Sequence, residues 1–271
     1  SFLEGSGDSR YNGPAPERAR QSHWKRTDMR LLIVEDDRDA ADYIARGVPM
    51  VADRVVITYG TSEAIEMTLN VLVDAGDDVL VPNPTYPMYT AVLAKLGARP
   101  TFYRCDPATW LPDIEHIKSQ FTPRTKALVV IDPNNPTGVM YPEGVRRELL
   151  EFADRHNLPV IADEVYGDLG HAGPVAPIST VYPSAPVISF SSMSKAFLAP
   201  GWRAGWLMVG QDSRLDDVLA AIKKLADGRL CAPSPMQHAI TAALTGDRSH
   251  QAVFRAALKE RAELTAARWS A

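Results

Sequence analysis

The residues with the most chemical potential lie in five short segments. In Ser191-Ser192-Met193-Ser194-Lys195 a lysine stands in a run of small hydroxyl residues, directly after the apolar run Pro186–Phe190. Arg203 comes eight residues later, in GWRAGW. Strand ends are where α/β proteins hold their chemistry, so Lys195 is either a solvated cation or an amine held to form a covalent bond. YGTSEAI (59–65) puts Gly60, Thr61 and Ser62 at a strand-to-helix turn. Free N–H groups and the helix dipole there can hold a phosphate, although plain helix capping uses the same residue types. NPTYPMY (83–89) offers Tyr86 as a flat platform or as ordinary packing, and PNNPTG (133–138) holds Asn135 in a rigid turn with an amide to donate. ADEVY (162–166) ends a strand in two acids and a tyrosine, with Asp163 readable alone as a helix cap and Tyr166 as a nearby phenol.

One chemistry uses all of these parts together. A lysine that carries pyridoxal phosphate as an imine needs an amine, a phosphate cradle and a hydrogen bond to the ring oxygen. It also needs a carboxylate that keeps the pyridine nitrogen protonated, so that the ring accepts electrons from a substrate carbanion. Each part is weak alone, and the joint match is strong.

Composition sets the frame. The chain has 271 residues, 45% hydrophobic and 23% charged, with a net charge of −4. That is the range of ordinary globular proteins and gives no reason to expect nucleic acid or a membrane surface as partner. Cys105 and Cys231 are far apart without CxxC spacing, so neither a disulfide framework nor a metal site is expected, and a cytoplasmic location is the default. No apolar run reaches the length of a membrane span, and the start lacks the order of a signal peptide. From about residue 54 onward, β-branched runs alternate with helical patterns. Strands are expected at 55–59, 78–84, from 126 into the 133–138 loop, and at 158–166, 186–190 and 204–209; helices are expected at 87–96, 112–120 and 142–156, and one starts near Thr61. This order predicts an α/β fold, three-layer α/β/α with a mostly parallel sheet. Residues 1–50 read as an N-terminal arm with an atypical acidic segment, and 51–271 as the cofactor-binding large domain. Within the arm, MRLLIVEDDRDAADYI (29–44) is similar to the opening strand and helix of a response-regulator receiver domain, or is simply a solvated acidic turn.

Taken together, GTSEAIEMTLNVL, PNNPTGVMY, ADEVY, SKAFLAPGWRAGW and RLCAPSPMQHAI make the chain from roughly 54 to 268 resemble the class I aminotransferases of fold type I. Within them, the alanine (glutamate–pyruvate) group is the most similar. The resemblance implies pyridoxal 5′-phosphate as cofactor. Lys195 would link to it covalently and shuttle a proton from substrate Cα. Asp163 would pair with the pyridine nitrogen, Tyr166 and Asn135 would hydrogen-bond the phenolic oxygen, and Tyr86 would stack on the ring. Gly60, Thr61, Ser62, Ser192, Ser194 and Arg203 would hold the phosphate. It further implies transfer of an amino group between an amino acid of alanine or aspartate type and a 2-oxo acid such as 2-oxoglutarate, with ping-pong kinetics, and a homodimer with the cofactor at its interface.

Relatives of this kind end in a small domain that supplies the arginine gripping the substrate α-carboxylate. This chain stops at Arg268-Trp269-Ser270-Ala271, so that domain is expected to be absent and no residue is assigned the role. Ser6, in GSGDSR, stands where relatives place a tyrosine that reaches the neighbouring subunit's phosphate, leaving Tyr11 as the nearby phenol. Two alternatives stay open: a lyase or cyclase using the same cofactor, and a catalytically silent cofactor-binding protein. A nucleotide-dependent dehydrogenase fails for want of a GxGxxG turn after a strand.

Overall fold

A computed structural model describes residues 51–269 apart from Cys231 and Pro233. The receiver-like stretch 29–44, Tyr11 and the N-terminal arm lie outside the described residues. Seven strands form one sheet: β1 (Val55–Thr58), β2 (Asp78–Asn83), β3 (Arg99–Arg104), β4 (Thr125–Ile131), β5 (Val160–Asp163), β6 (Val187–Ser192) and β7 (Gly205–Val209). Their spatial order is β1-β7-β6-β5-β4-β2-β3. β3, β2, β4, β5 and β6 run parallel, whereas β7 is antiparallel to both of its neighbours.

The parallel strands are apolar along nearly their whole length because both faces are covered. Helices α1 (Thr61–Leu72), α2 (Pro87–Leu96) and α5 (Asp216–Gly228) cover one face, burying Ile65, Leu69, Leu93 and Ile222 against Val79, Val129, Ile161 and Leu207. Helices α3 (Ile114–Gln120) and α4 (Glu143–Arg155) cover the other face through Ile117, Leu149 and Phe152. Beside them α6 (Ser234–Thr245) lays Ile240 and Leu244 on Trp206 and Met208 of β7, and α7 (Ser249–Trp269) follows it. The three-layer α/β/α fold is therefore the one that the sequence implied.

The expected helices at 87–96, 112–120 and 142–156 are observed within two residues of those bounds. Pro87 opens α2 at the position where its missing N–H costs nothing, and Gly97 closes it with φ +71°, in the left-handed region. Strand β3 has no counterpart among the strands expected from sequence. It is an edge strand, RPTFYR, largely exposed and carrying Pro100, and such a strand lacks the continuous apolar run that marks its neighbours. Among the described residues no helix is long and apolar enough to cross a membrane.

Candidate active site

All the site segments gather at one edge of the sheet. Asp163 ends β5, Asn135 follows β4, Tyr86 follows β2, Gly60 follows β1, and Lys195 follows β6. Because β7 runs the other way, it is the segment before it, with Arg203, that arrives at this edge. Thr58 and Ser192 both register with Gly205.

Asp163 is 3% exposed. The Tyr89 hydroxyl donates to its Oδ2 at 3.1 Å, and the Val165 N–H donates to Oδ1 at 3.4 Å. Burial pushes its carboxyl up to about 6, while the Tyr89 and Val165 donors and then the Lys195 charge pull the other way. Tyr89 is fully buried; burial and the neighbouring carboxylate hold its phenol well above the usual value, so it stays a donor. A cavity of about 600 Å³ opens beside this group and is lined by Asn135, Tyr166, Ser194 and Lys195. Lys195 Nζ lies 5.6 Å from the centre of the Tyr166 ring. The cavity thus places an accessible amine, a phenol and an amide within reach of one small molecule, with a carboxylate of raised pKa behind them. Phe254 and Leu258 of α7 also line it.

A second cluster stands at the start of α1. The Arg203 guanidinium donates to the Tyr59 and Pro200 carbonyls, each at 2.9 Å. Gly60 caps α1 with φ +79°, and a Cβ there would come within 2.4 Å of Arg203 Nη2. Gly205 is just as confined, since its Cβ would meet the Gly60 Cα at 2.6 Å. Only glycines let the guanidinium and the helix start approach this closely. Thr61 Oγ1 is buried and has no hydrogen-bond partner, and Ser62 is next in the same turn. Ser192 is buried and its Oγ accepts from the Ser194 N–H at 3.3 Å. Tyr86 is half-buried at the N-cap of α2, packed against the same core as Tyr89. The structure therefore brings Asn135, Asp163, Tyr166 and Lys195 together, sets Gly60–Ser62 with Arg203, and leaves Tyr86 at the mouth of β2.

Several supporting residues escape a reading of the sequence. Tyr89 is one, although its spacing of three from Tyr86, across the start of a helix, could have pointed to it. Another is the buried pair of Asp132 and Arg146, 2.7 Å apart. Asp132 also accepts the Tyr141 N–H at 3.0 Å, which ties α4 through Asp132 to both ends of the Asn135 loop, and Arg146 donates to the Ala176 carbonyl as well. Inside that loop Asn134 accepts the Thr137 hydroxyl at 2.8 Å, and Asn135 is left to face the cavity. Glu164 accepts the Ile178 N–H at 2.6 Å, and burial raises its carboxyl to about 7. Among the described residues no group of three or more His, Cys, Asp or Glu is placed to hold a metal ion.

Residues 24–268 match the family model for aminotransferase class I and II. The alanine aminotransferase of Mycobacterium bovis is 41% identical over 204 residues, which is 73% of this chain and 47% of that protein. The glutamate-pyruvate aminotransferase AlaA of Escherichia coli K12 is 37% identical over 215 residues, 76% of this chain and 52% of that one. An alanine aminotransferase from Pyrococcus furiosus superposes with a TM-score of 0.82 at 35% identity, over 85% of this chain and 60% of the other. The chain spans about half the length of the curated relatives it matches. With its match over nearly all of the described fold, the chain belongs to the class I and II aminotransferases.

Proposed function

We propose that the protein transfers an amino group between an L-amino acid of alanine or aspartate type and a 2-oxo acid such as 2-oxoglutarate. Its family uses pyridoxal phosphate, and the residues present fit that group. The unpartnered Thr61 Oγ1, the Arg203 guanidinium and the N-terminal turn of α1 suit a phosphate. The observation that carries the reading is the buried Asp163 carboxylate at the end of β5, with Lys195 on the adjoining cavity. When bound, the cofactor supplies an electron sink for a Cα carbanion and a temporary carrier for the amino group.

The chain's own residues do the rest. Lys195 would hold the cofactor through its amine, and its Nζ, once released, would take the proton from substrate Cα. The Asp163 carboxylate would keep the ring nitrogen cationic, and Tyr89 holds that carboxylate in place. Asn135 and Tyr166 would donate to the ring oxygen, Tyr86 would pack on the ring, and Gly60, Thr61, Ser62, Ser192, Ser194 and Arg203 would hold the phosphate. Two substrates that use one site in turn give ping-pong kinetics.

We assign residues 51–271 to the cofactor-binding large domain and expect a cytoplasmic homodimer. Leu198, Trp202 and Leu230, 55%, 50% and 82% exposed beside Lys195, Arg203 and Arg229, support contact with a second copy.

The test is the visible spectrum of the purified chain with pyridoxal phosphate, followed by borohydride trapping, peptide mapping and repetition with alanine. An adduct on Lys195 that bleaches with alanine and releases pyruvate is the expected result. Lys195→Ala should abolish both the adduct and turnover. Adduct formation on another lysine, or undiminished turnover by the variant, would overturn the assignment.

A further inference from the structure

The first turn of α1 carries an acid that ought to oppose its proposed task. Glu63 lies three residues after the Gly60 cap, in the first turn of the helix proposed to hold the phosphate. Its Oε2 accepts the Tyr59 N–H at 2.8 Å and so fixes the chain just before the cradle. That hydrogen bond is useful, but the carboxylate charge would repel a phosphate dianion nearby. The structure supplies a counterweight from a distant part of the sequence. Arg229, at the C-cap of α5, places Nε 2.9 Å from Glu63 Oε1. Its Nη2 donates to the Ile57 carbonyl, and its guanidinium carbon lies 5.7 Å from the centre of the Tyr59 ring. Both charged side chains are largely shielded, 17% and 21% exposed, so solvent screens the pair only in part.

We propose that Arg229 is a positioning residue for the cofactor phosphate: it neutralises Glu63, so that the acid can brace the Tyr59–Gly60 backbone without repelling the dianion. Arg203 and the helix N-terminus are then left to act on the phosphate as uncompensated positive charge. This inference rests on the pyridoxal phosphate reading of the site. It gives a role to Arg229, which lies outside the residues expected to touch the cofactor.

The experiment compares dissociation constants for pyridoxal phosphate and for pyridoxal, its phosphate-free form, by absorbance titration of the 271-residue chain. The dissociation constant for pyridoxal divided by that for pyridoxal phosphate isolates the phosphate contribution from general damage to the fold. Arg229→Met exposes the phosphate to the Glu63 charge and should shrink the ratio by about tenfold, while pyridoxal binding changes less than about twofold. Glu63→Gln keeps an acceptor for the Tyr59 N–H and removes the repulsion, so its ratio should equal or exceed that of the natural sequence. Glu63→Gln/Arg229→Met should recover to within about threefold of the natural ratio. Equal loss of both ligands in Arg229→Met, or a double variant no better than that single one, would show a merely structural role and overturn the proposal. A natural chain that binds the two ligands alike would overturn the cofactor reading itself, whereas a phosphate-dependent chain whose ratio ignores Arg229 would overturn this inference alone.

Discussion

Asp163→Asn should stabilise the cofactor-free protein at pH 8, even though it removes a residue proposed for catalysis. The carboxyl is held up at about 6 against an ordinary 3.8, and burial is the leading cause. A folded-state value above the unfolded one means that the native state binds the extra proton between these two values. Stability therefore falls as pH rises from about 4 to about 6, and the loss stays constant above that window. A shift of about two units corresponds to about 3 kcal/mol. Asparagine has the same shape: its Oδ1 can accept the Val165 N–H, and its amide can donate to the Tyr89 oxygen, so the exchange removes charge with little loss of bonding. Urea unfolding of the cofactor-free chain should find the variant about 3 kcal/mol more stable at pH 8 and within about 1 kcal/mol of the natural chain at pH 4.5. Added pyridoxal phosphate should reverse the order at pH 8, because a cationic ring nitrogen rewards the carboxylate that burial penalises. A variant that is less stable at pH 8, or a difference independent of pH, would refute the reasoning.

Other substitutions test the supporting shell. Tyr89→Phe removes a donor from the buried carboxylate, so the pH window over which stability falls should extend upward past 6, with an overall loss of about 1–2 kcal/mol; both are read from unfolding curves across pH. Arg146→Met leaves Asp132 buried and unpaired, at a cost of about 3–5 kcal/mol in denaturant unfolding. Asp132→Asn/Arg146→Met should recover a good part of that loss. Gly205→Ala drives a methyl group against the Gly60 Cα and the Thr61 N; the strain of about 1–3 kcal/mol should appear as a lower melting temperature together with weaker pyridoxal phosphate binding.

What could be read in the sequence follows from how each feature is encoded. Strands buried on both faces, such as Ala127–Ile131 and Val160–Ala162, write themselves as unbroken apolar runs, and the helices between them end at Pro and Gly signals. The β3 edge strand has one face in solvent and a proline inside, so its pattern blends into loop. The segments proposed to touch the cofactor are continuous and carry unusual residues, which made ADEVY, PNNPTG and SSMSK visible. Tyr89, Arg146 and Arg229 act through contacts that span 74, 14 and 166 residues of chain respectively, to Asp163, Asp132 and Glu63. Nothing local distinguishes such a residue from an ordinary core phenol or surface cation. The direction of β7 was equally hidden, because GWLMV reads the same in a parallel or an antiparallel ladder.

That reversed strand has a consequence for how the site assembles. β6 and β7 are one antiparallel hairpin, and the loop that joins Ser192 to Gly205 carries both Lys195 and Arg203. The loop is braced within itself, with the Met193 N–H on the Ala204 carbonyl at 2.9 Å and the Ala199 N–H on the Met193 carbonyl at 3.2 Å. This loop joins strands that are consecutive in sequence, so amine and guanidinium can be brought to their mutual spacing by folding of one continuous segment. The carboxylate arrives differently: Asp163 takes its place only when β5 pairs in parallel with both β4 and β6, a non-local event. The amine and guanidinium half of the proposed site thus depends on a connection between neighbouring strands, and the carboxylate half on distant strand pairing, so the first is the less demanding to form.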